Sequence, residues 1–269
     1  KLSRPAIKTG DAYNDGTTFA YSEAKQSESV YLGPNSQLLA AGTTVLNAAT
    51  RHSLEKGVSA DTLRDRRRYK GKVLDGGKIE IDAGRGYLIT AQGSTMDVSG
   101  VLESLNAAGV TSSGGLSYAT KTVGSAGGQI ALAAQEGMIL DGSYAAKGKN
   151  GAPDGDFSLS LYRKPVSDNW DTEAAPIPAS IEGPRQLTLL QSAGVRPVQW
   201  KMTAKETQAY LNGTQVLASA DYNGEAVVDV ASLSSAGFGS WYLSSQDQIR
   251  FDGNIDATVN NQLRLSAPK

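Results

Sequence analysis

One phrase occurs three times in this chain, and it limits the available folds more than any other feature. Aligning Ile79 with Ile130 and Trp241 sets IEIDAGRGYLIT, IALAAQEGMILD and WYLSSQDQIRFD in register over twelve positions without a gap. The shared apolar columns are Ile79/Ile130/Trp241, Ile81/Leu132/Leu243, Tyr87/Met138/Ile249 and Ile89/Leu140/Phe251. A corner follows each copy, at Gln92-Gly93, Asp141-Gly142 and Asp252-Gly253. Within each copy apolar and polar residues alternate, the period-two mark of a strand with one face on a core. The spacings are 51 residues (130 minus 79) and 111 residues (241 minus 130), so like units are separated by unequal insertions.

A strand–corner–strand unit cannot bury its apolar face alone. Stacked on copies of itself, it sets like residues on like and forms a continuous interior column. The sequence therefore predicts an all-β chain built as a parallel β-helix, a solenoid. An antiparallel sandwich also suits regular short strands, but it predicts no such register between distant segments. Alternation recurs at Ser29 to Leu32, Leu38 to Asn47, Met96-Val98, Phe157-Leu159-Leu161, Ile255-Ala257-Val259 and Leu263-Leu265. Thirty glycines against nine prolines suit many tight corners, and 7 % aromatics imply a core of small aliphatic side chains.

Coils are expected over 1–161, interrupted by a basic loop at 51–72 and a Gly/Ser-rich flexible loop at 103–125. An insertion is expected over 162–236, with coils resuming over 237–269. The insertion opens with four prolines (Pro165, Pro176, Pro178 and Pro184) that forbid a central strand. Strand alternation returns at Leu187 and Leu189, then at Val198, Trp200 and Met202. After it, TAKETQAYLNG has Thr203 and Glu206 at capping-box spacing and Gly213 just past the end, which predicts a short helix. The insertion reads as a lateral appendage on the coils.

The formal charge of −1 gives no electrostatic reason to expect nucleic acid or an anionic membrane as partner. Zero cysteines exclude disulfides, a thiolate nucleophile and Cys-ligated zinc, and would suit a chain that crosses a membrane unfolded. No apolar run approaches the roughly 20 residues of a membrane-spanning helix. The first residues, KLSRPAIKTG, do not read as a secretory leader, and the expectation is an internal piece of something longer.

The repeat segments carry a family resemblance. GGKIEIDAGRGYLITAQGSTMDVSGV, AGGQIALAAQEGMILDGSYAAKG and GFGSWYLSSQDQIRFDGNIDATVNNQLRLSA resemble internal regions of the filamentous haemagglutinin family, the large exoproteins of two-partner secretion. The less generic phrases are DVSG at Asp97 to Gly100 and GFGSWYLSS at Gly237 to Ser245. The resemblance implies a right-handed β-helix rod, secreted to the bacterial cell surface through a dedicated outer-membrane transporter. It also implies adhesion to host cells, other bacteria or matrix polysaccharide, with roles in virulence and biofilm. The family's Asn-Pro-Asn-Leu-type secretion motif has no counterpart, since no Asn-Pro pair occurs. The transporter would then act through a region absent here, and flanking coils of a parent chain would adjoin this segment.

Candidate ligand-binding residues are few. Trp170, Trp200 and Tyr210 fall in the insertion and could stack on sugar faces, or form its small core. Arg66, Arg67 and Arg68 could hold sulfated or anionic glycans, although Asp61 and Asp65 dilute the charge. His52, the sole histidine, has no partners for zinc or for a catalytic triad and reads as a loop residue. Acids at Asp75, Asp141, Asp154 and Asp252 read as turn formers rather than as a glycosidase pair, and Asp82 should face water. GAPDGD at Gly151 to Asp156, GRG at Gly84 to Gly86 and the Asn212 sequon are too isolated to imply calcium, a dinucleotide or a glycan. No catalytic residue, metal ligand or cofactor is expected. The reading is a non-enzymatic adhesin segment. The alternatives are a β-helical polysaccharide lyase or hydrolase, and a spacer in a contact-dependent toxin-delivery exoprotein.

Overall fold

Where apolar and polar residues alternate, the backbone is extended and pairs with its echo elsewhere in the chain. The computed structural model describes residues 30–46, 71–84, 87–110, 116–162, 184–192 and 224–267. Among these the chain is all-β with one short helix. The strands are β1 (Val30–Leu32), β2 (Gln37–Leu39), β3 (Thr43–Leu46), β4 (Gly71–Leu74), β5 (Lys78–Asp82) and β6 (Tyr87–Thr90). Then come β7 (Thr95–Asp97), β8 (Leu102–Val110), β9 (Leu116–Gly124), β10 (Gln129–Ala134), β11 (Gly137–Leu140) and β12 (Ser143–Ala145). The last are β13 (Gly155–Leu161), β14 (Gln186–Leu190), β15 (Glu225–Asp229), helix α1 (Val230–Ala236), β16 (Phe238–Ser245), β17 (Gln248–Asp252) and β18 (Gln262–Ser266).

Three parallel sheets enclose one core. Their orders are β1-β6-β11-β15-β14-β17, β18-β16-β13-β10-β5 and β12-β7-β2. The chain visits them in rotation, as β5, β6, β7 and again as β10, β11, β12. In the five-stranded sheet, Ile79, Ile130, Phe157, Trp241 and Leu263 stand in one row. Ile81, Leu132, Leu159, Leu243 and Leu265 form the next. The predicted columns on this sheet are therefore present, with β13 interposed, and Trp241 is buried in the core.

In the six-stranded sheet the predicted Met138/Ile249 and Leu140/Phe251 columns are present with β15 and β14 interposed, but β6 slips by one. Leu88, not Tyr87, stands opposite Met138, and Thr90, not Ile89, opposite Leu140. The cause is one extra residue at the first corner. Ile81 to Leu88 takes seven steps (88 minus 81), whereas Leu132 to Met138 takes six (138 minus 132). Gly84, with φ 55°, takes the left-handed conformation there, and Asp82 accepts its N–H at 2.8 Å. A one-residue slip turns a strand's whole side-chain set over. Leu88 thus joins the central core, while Tyr87 and Ile89 point to the outer face. That part of the outer face is no free surface, since Tyr87 and Ile89 are only 3 % and 2 % exposed.

Three further expectations need correction. Residues 103–125 are not a flexible loop at either flank. β8 and β9 pair antiparallel from Leu102↔Gly124 to Val110↔Leu116. Small side chains hide the strand pattern, but the backbone groups are satisfied across the hairpin. The basic stretch 51–72 ends in a strand, because Gly71 and Lys72 belong to β4, which pairs antiparallel with β3. Residues 162–236 are not one lateral appendage, since β14 and β15 are interior strands of the six-stranded sheet and α1 packs beside β12. Asp229 caps α1 by accepting the Ser232 N–H at 2.8 Å, and Gly237 ends it at φ 79°. The helix predicted over 203–213 lies outside the described residues. The alternation at Ile255 to Val259 forms no strand.

β15 enters between β11 and β14, so spatial order departs from chain order. A corner clasp spans the intruding strand. Arg185, just before β14, donates from Nη2 to Glu136 Oε2 at 3.0 Å and from Nε to the Gln135 carbonyl. Gly224, at φ 79°, lies under this side chain, and a Cβ there would stand 2.7 Å from Arg185 Nη1. The Gly224 N–H donates to the Glu136 carbonyl, and the Gln186 N–H to the Gly224 carbonyl. The ion pair is sealed from water, at 2 % and 1 % side-chain exposure.

Candidate functional site

The strand order sets side chains from β15, β14 and β17 beside one another on the outer face of the six-stranded sheet. Register places Glu225, Gln186 and Gln248 in one row, with Val227, Thr188 and Arg250 in the next. Outward placement follows from the pleat, because Ala226, Leu187 and Ile249 between them turn to the core. The apolar side of this face is buried, and polarity and exposure increase towards β17, where Gln248, Arg250 and Asp252 are exposed.

Charge and hydrogen bonding define the strip. Partial burial raises the Glu225 carboxyl above its ordinary value, and the Arg250 guanidinium opposes the shift. Arg250 Nη2 stands 3.7 Å from Asp252 Oδ1, and Gln186 Nε2 donates to Thr188 Oγ1 at 3.1 Å. A carboxyl, two amides, a hydroxyl and a guanidinium make a surface that can donate to and accept from a polyol. Sequence reasoning missed all of these residues. Their only signal was alternation, which ranks Glu225 as one more solvated position.

Three of the described acids accept backbone N–H groups. Asp75 Oδ1 accepts the Ala126 N–H, Asp97 Oδ1 the Ser99 N–H, and Asp154 Oδ1 the Gly148 N–H. Asp82 is exposed, as expected. The described residues hold no group of three metal-ligating side chains and no helix long and apolar enough to cross a membrane.

The sequence candidates Trp170, Trp200, Tyr210, Arg66, Arg67 and Arg68, together with His52, lie outside the described residues. Their attachment points are described. Residues 163–183 connect β13 to β14, residues 193–223 connect β14 to β15, and residues 47–70 connect β3 to β4. The two aromatic-bearing connections are therefore tethered to the strands that carry Gln186 and Glu225. Comparison with protein families, with curated proteins and with solved structures finds no match.

Proposed function

We propose that this chain is a right-handed parallel β-helix segment of a large secreted bacterial adhesin of the filamentous haemagglutinin type. It attaches to surface glycan or receptor on host cells or other bacteria, without catalysis. The observation that carries the reading is the parallel register linking strands about one turn of chain apart, Ile79 to Ile130 and Leu88 to Met138. Strands visited in rotation around one core stack into a rod, and a rod suits display and reach. The use of corner acids as acceptors for backbone N–H groups supports a scaffold role. Binding belongs to the outer strip around Glu225, Gln186 and Arg250, together with the connections at 163–183 and 193–223.

The test is binding of the purified chain to a glycan array and to intact cells. Shortening 163–183 and 193–223 separately, with β14, β15 and α1 kept, should abolish binding in at least one variant. Failure to bind any glycan or cell would remove the adhesive role and leave the spacer reading. The outer-face row of Glu225, Gln186 and Gln248, with the Glu225 carboxyl raised by partial burial, favours one second reading, a polysaccharide-cleaving enzyme with Glu225 as proton donor. New reducing or unsaturated ends on incubation with polysaccharide, lost in Glu225→Gln, would replace the adhesin reading with this one.

A further inference from the structure

On the five-stranded sheet the residues between the core rows point outward. Register sets Glu80, Ala131, Ser158, Tyr242 and Arg264 side by side, one per strand from β5 to β18. The row is uneven in charge. β18 presents Arg264, exposed and with no ion-pair partner among the described residues. β5 presents Lys78, Glu80 and Asp82, one cation against two carboxylates. The Lys78–Glu80 pair, at 2.7 Å, remains open to water. The row is also uneven in height. Ala131 on β10 leaves a hollow, whereas Tyr242 on β16 makes a knob, steadied by its hydroxyl donating to Gln262 Oε1 at 3.1 Å.

The two ends differ in sign, and the hollow and the knob lie one strand to either side of β13. Such a surface is complementary to itself. A two-fold axis along β13 brings a second copy with its β18 over β5 and its β16 over β10. The strands stay parallel, and the two stacks run in opposite directions. Arg264 of each copy then meets Glu80 of the other, and Tyr242 of each seats on Ala131 of the other. Ser158 lies on its own counterpart at the centre, where small side chains let sheets approach to the roughly 10 Å of packed layers. One contact is discordant, since Asp156, also on β13, faces its own copy.

We propose that this face is a self-association surface, and that its occupant is a second copy of this chain in that two-fold arrangement. Five strands about 4.8 Å apart, each with five residues of about 3.3 Å, span roughly 400 Å² per copy. The pair thus covers about 800 Å², below the size of a permanent dimer, and it forms reversibly. The inference goes beyond the adhesive reading and does not depend on it.

The test is sedimentation equilibrium of the full chain. A monomer–dimer equilibrium should appear at about 0.1–1 mM, as for a weak contact. Arg264→Glu sets like charges at both ends and should weaken dimerisation about 10-fold, as should Glu80→Arg. The two together exchange the charges and should restore dimerisation to within about threefold of the parent. Asp156→Asn removes the discordant contact and should tighten the pair by about threefold. Urea midpoints of the variants, compared with the parent, check that folding is intact. A chain that stays monomeric throughout this range, an association indifferent to Arg264→Glu, or a double variant as weak as the singles overturns the proposal. Glycan binding has no bearing on any of these outcomes.

Discussion

Breaking the Arg185–Glu136 clasp from one side should cost far more than replacing it whole. Both side chains are almost fully buried, and the guanidinium donates to Glu136 Oε2 at 3.0 Å and to the Gln135 carbonyl. Removing one partner of a buried pair leaves a desolvated charge and costs about 3–5 kcal/mol. Glu136→Gln keeps the shape and deletes the charge, so it should lose about 3 kcal/mol, with Arg185→Met in the same range. The double variant Arg185→Met with Glu136→Leu removes both charges and should fall within about 1 kcal/mol of the parent. The coupling energy from the cycle is then a few kcal/mol. Urea unfolding followed by circular dichroism measures it, provided the m-values stay constant. pH adds a second signature. A lone buried carboxylate can take up a proton, whereas a guanidinium cannot lose one. The Arg185→Met penalty should therefore shrink towards acid pH while the Glu136→Gln penalty persists. Single-variant costs below about 1 kcal/mol, as for an exposed pair, would refute the clasp. So would a double variant equal to the sum of the singles.

The corner glycines give a graded prediction. A Cβ at Gly128 would overlap the Gly77 carbonyl oxygen, so Gly128→Ala should cost about 3 kcal/mol by forcing stacked backbones apart. Gly151, at φ 77° with open space around it, should cost only the left-handed penalty of about 1–2 kcal/mol when changed to Ala. Equal midpoints for the two variants in urea would contradict the stacking. Asp229→Ala should lose about 1 kcal/mol by uncapping α1, with Asp229→Asn retaining most of it, read as thermal midpoints. Glu225 has a folded-state pKa above its unfolded one, so the folded chain holds this proton more tightly. Its contribution is fully present below the unfolded value and is lost as pH rises through the folded value. Glu225→Gln should therefore match the parent near about pH 4 and exceed it in stability at neutral pH. Stability profiles that stay parallel across this range would remove the desolvation argument.

Some features were written in the order of residue types alone. Alternation placed β5, β10, β13, β16 and β18, and the common register of Ile79, Ile130 and Trp241 made parallel pairing of distant copies the only economical arrangement. Side-chain period and apolar content are local, so they survive reading one stretch at a time. The candidate strip was not legible in this way. Glu225, Gln186 and Gln248 belong together only because β15 enters between β11 and β14, out of chain order. The slip that turns Tyr87 outward depends on one corner residue, which a gapless alignment cannot weigh. Arg185 and Glu136 are 49 residues apart, and neither looks unlike a surface charge until Gly224 lets one reach the other. Sequence determined that like strands would stack, because each needs a partner for its apolar face. Tertiary structure decided which strand sits beside which, because that choice depends on corner length and on space between segments far apart in the chain.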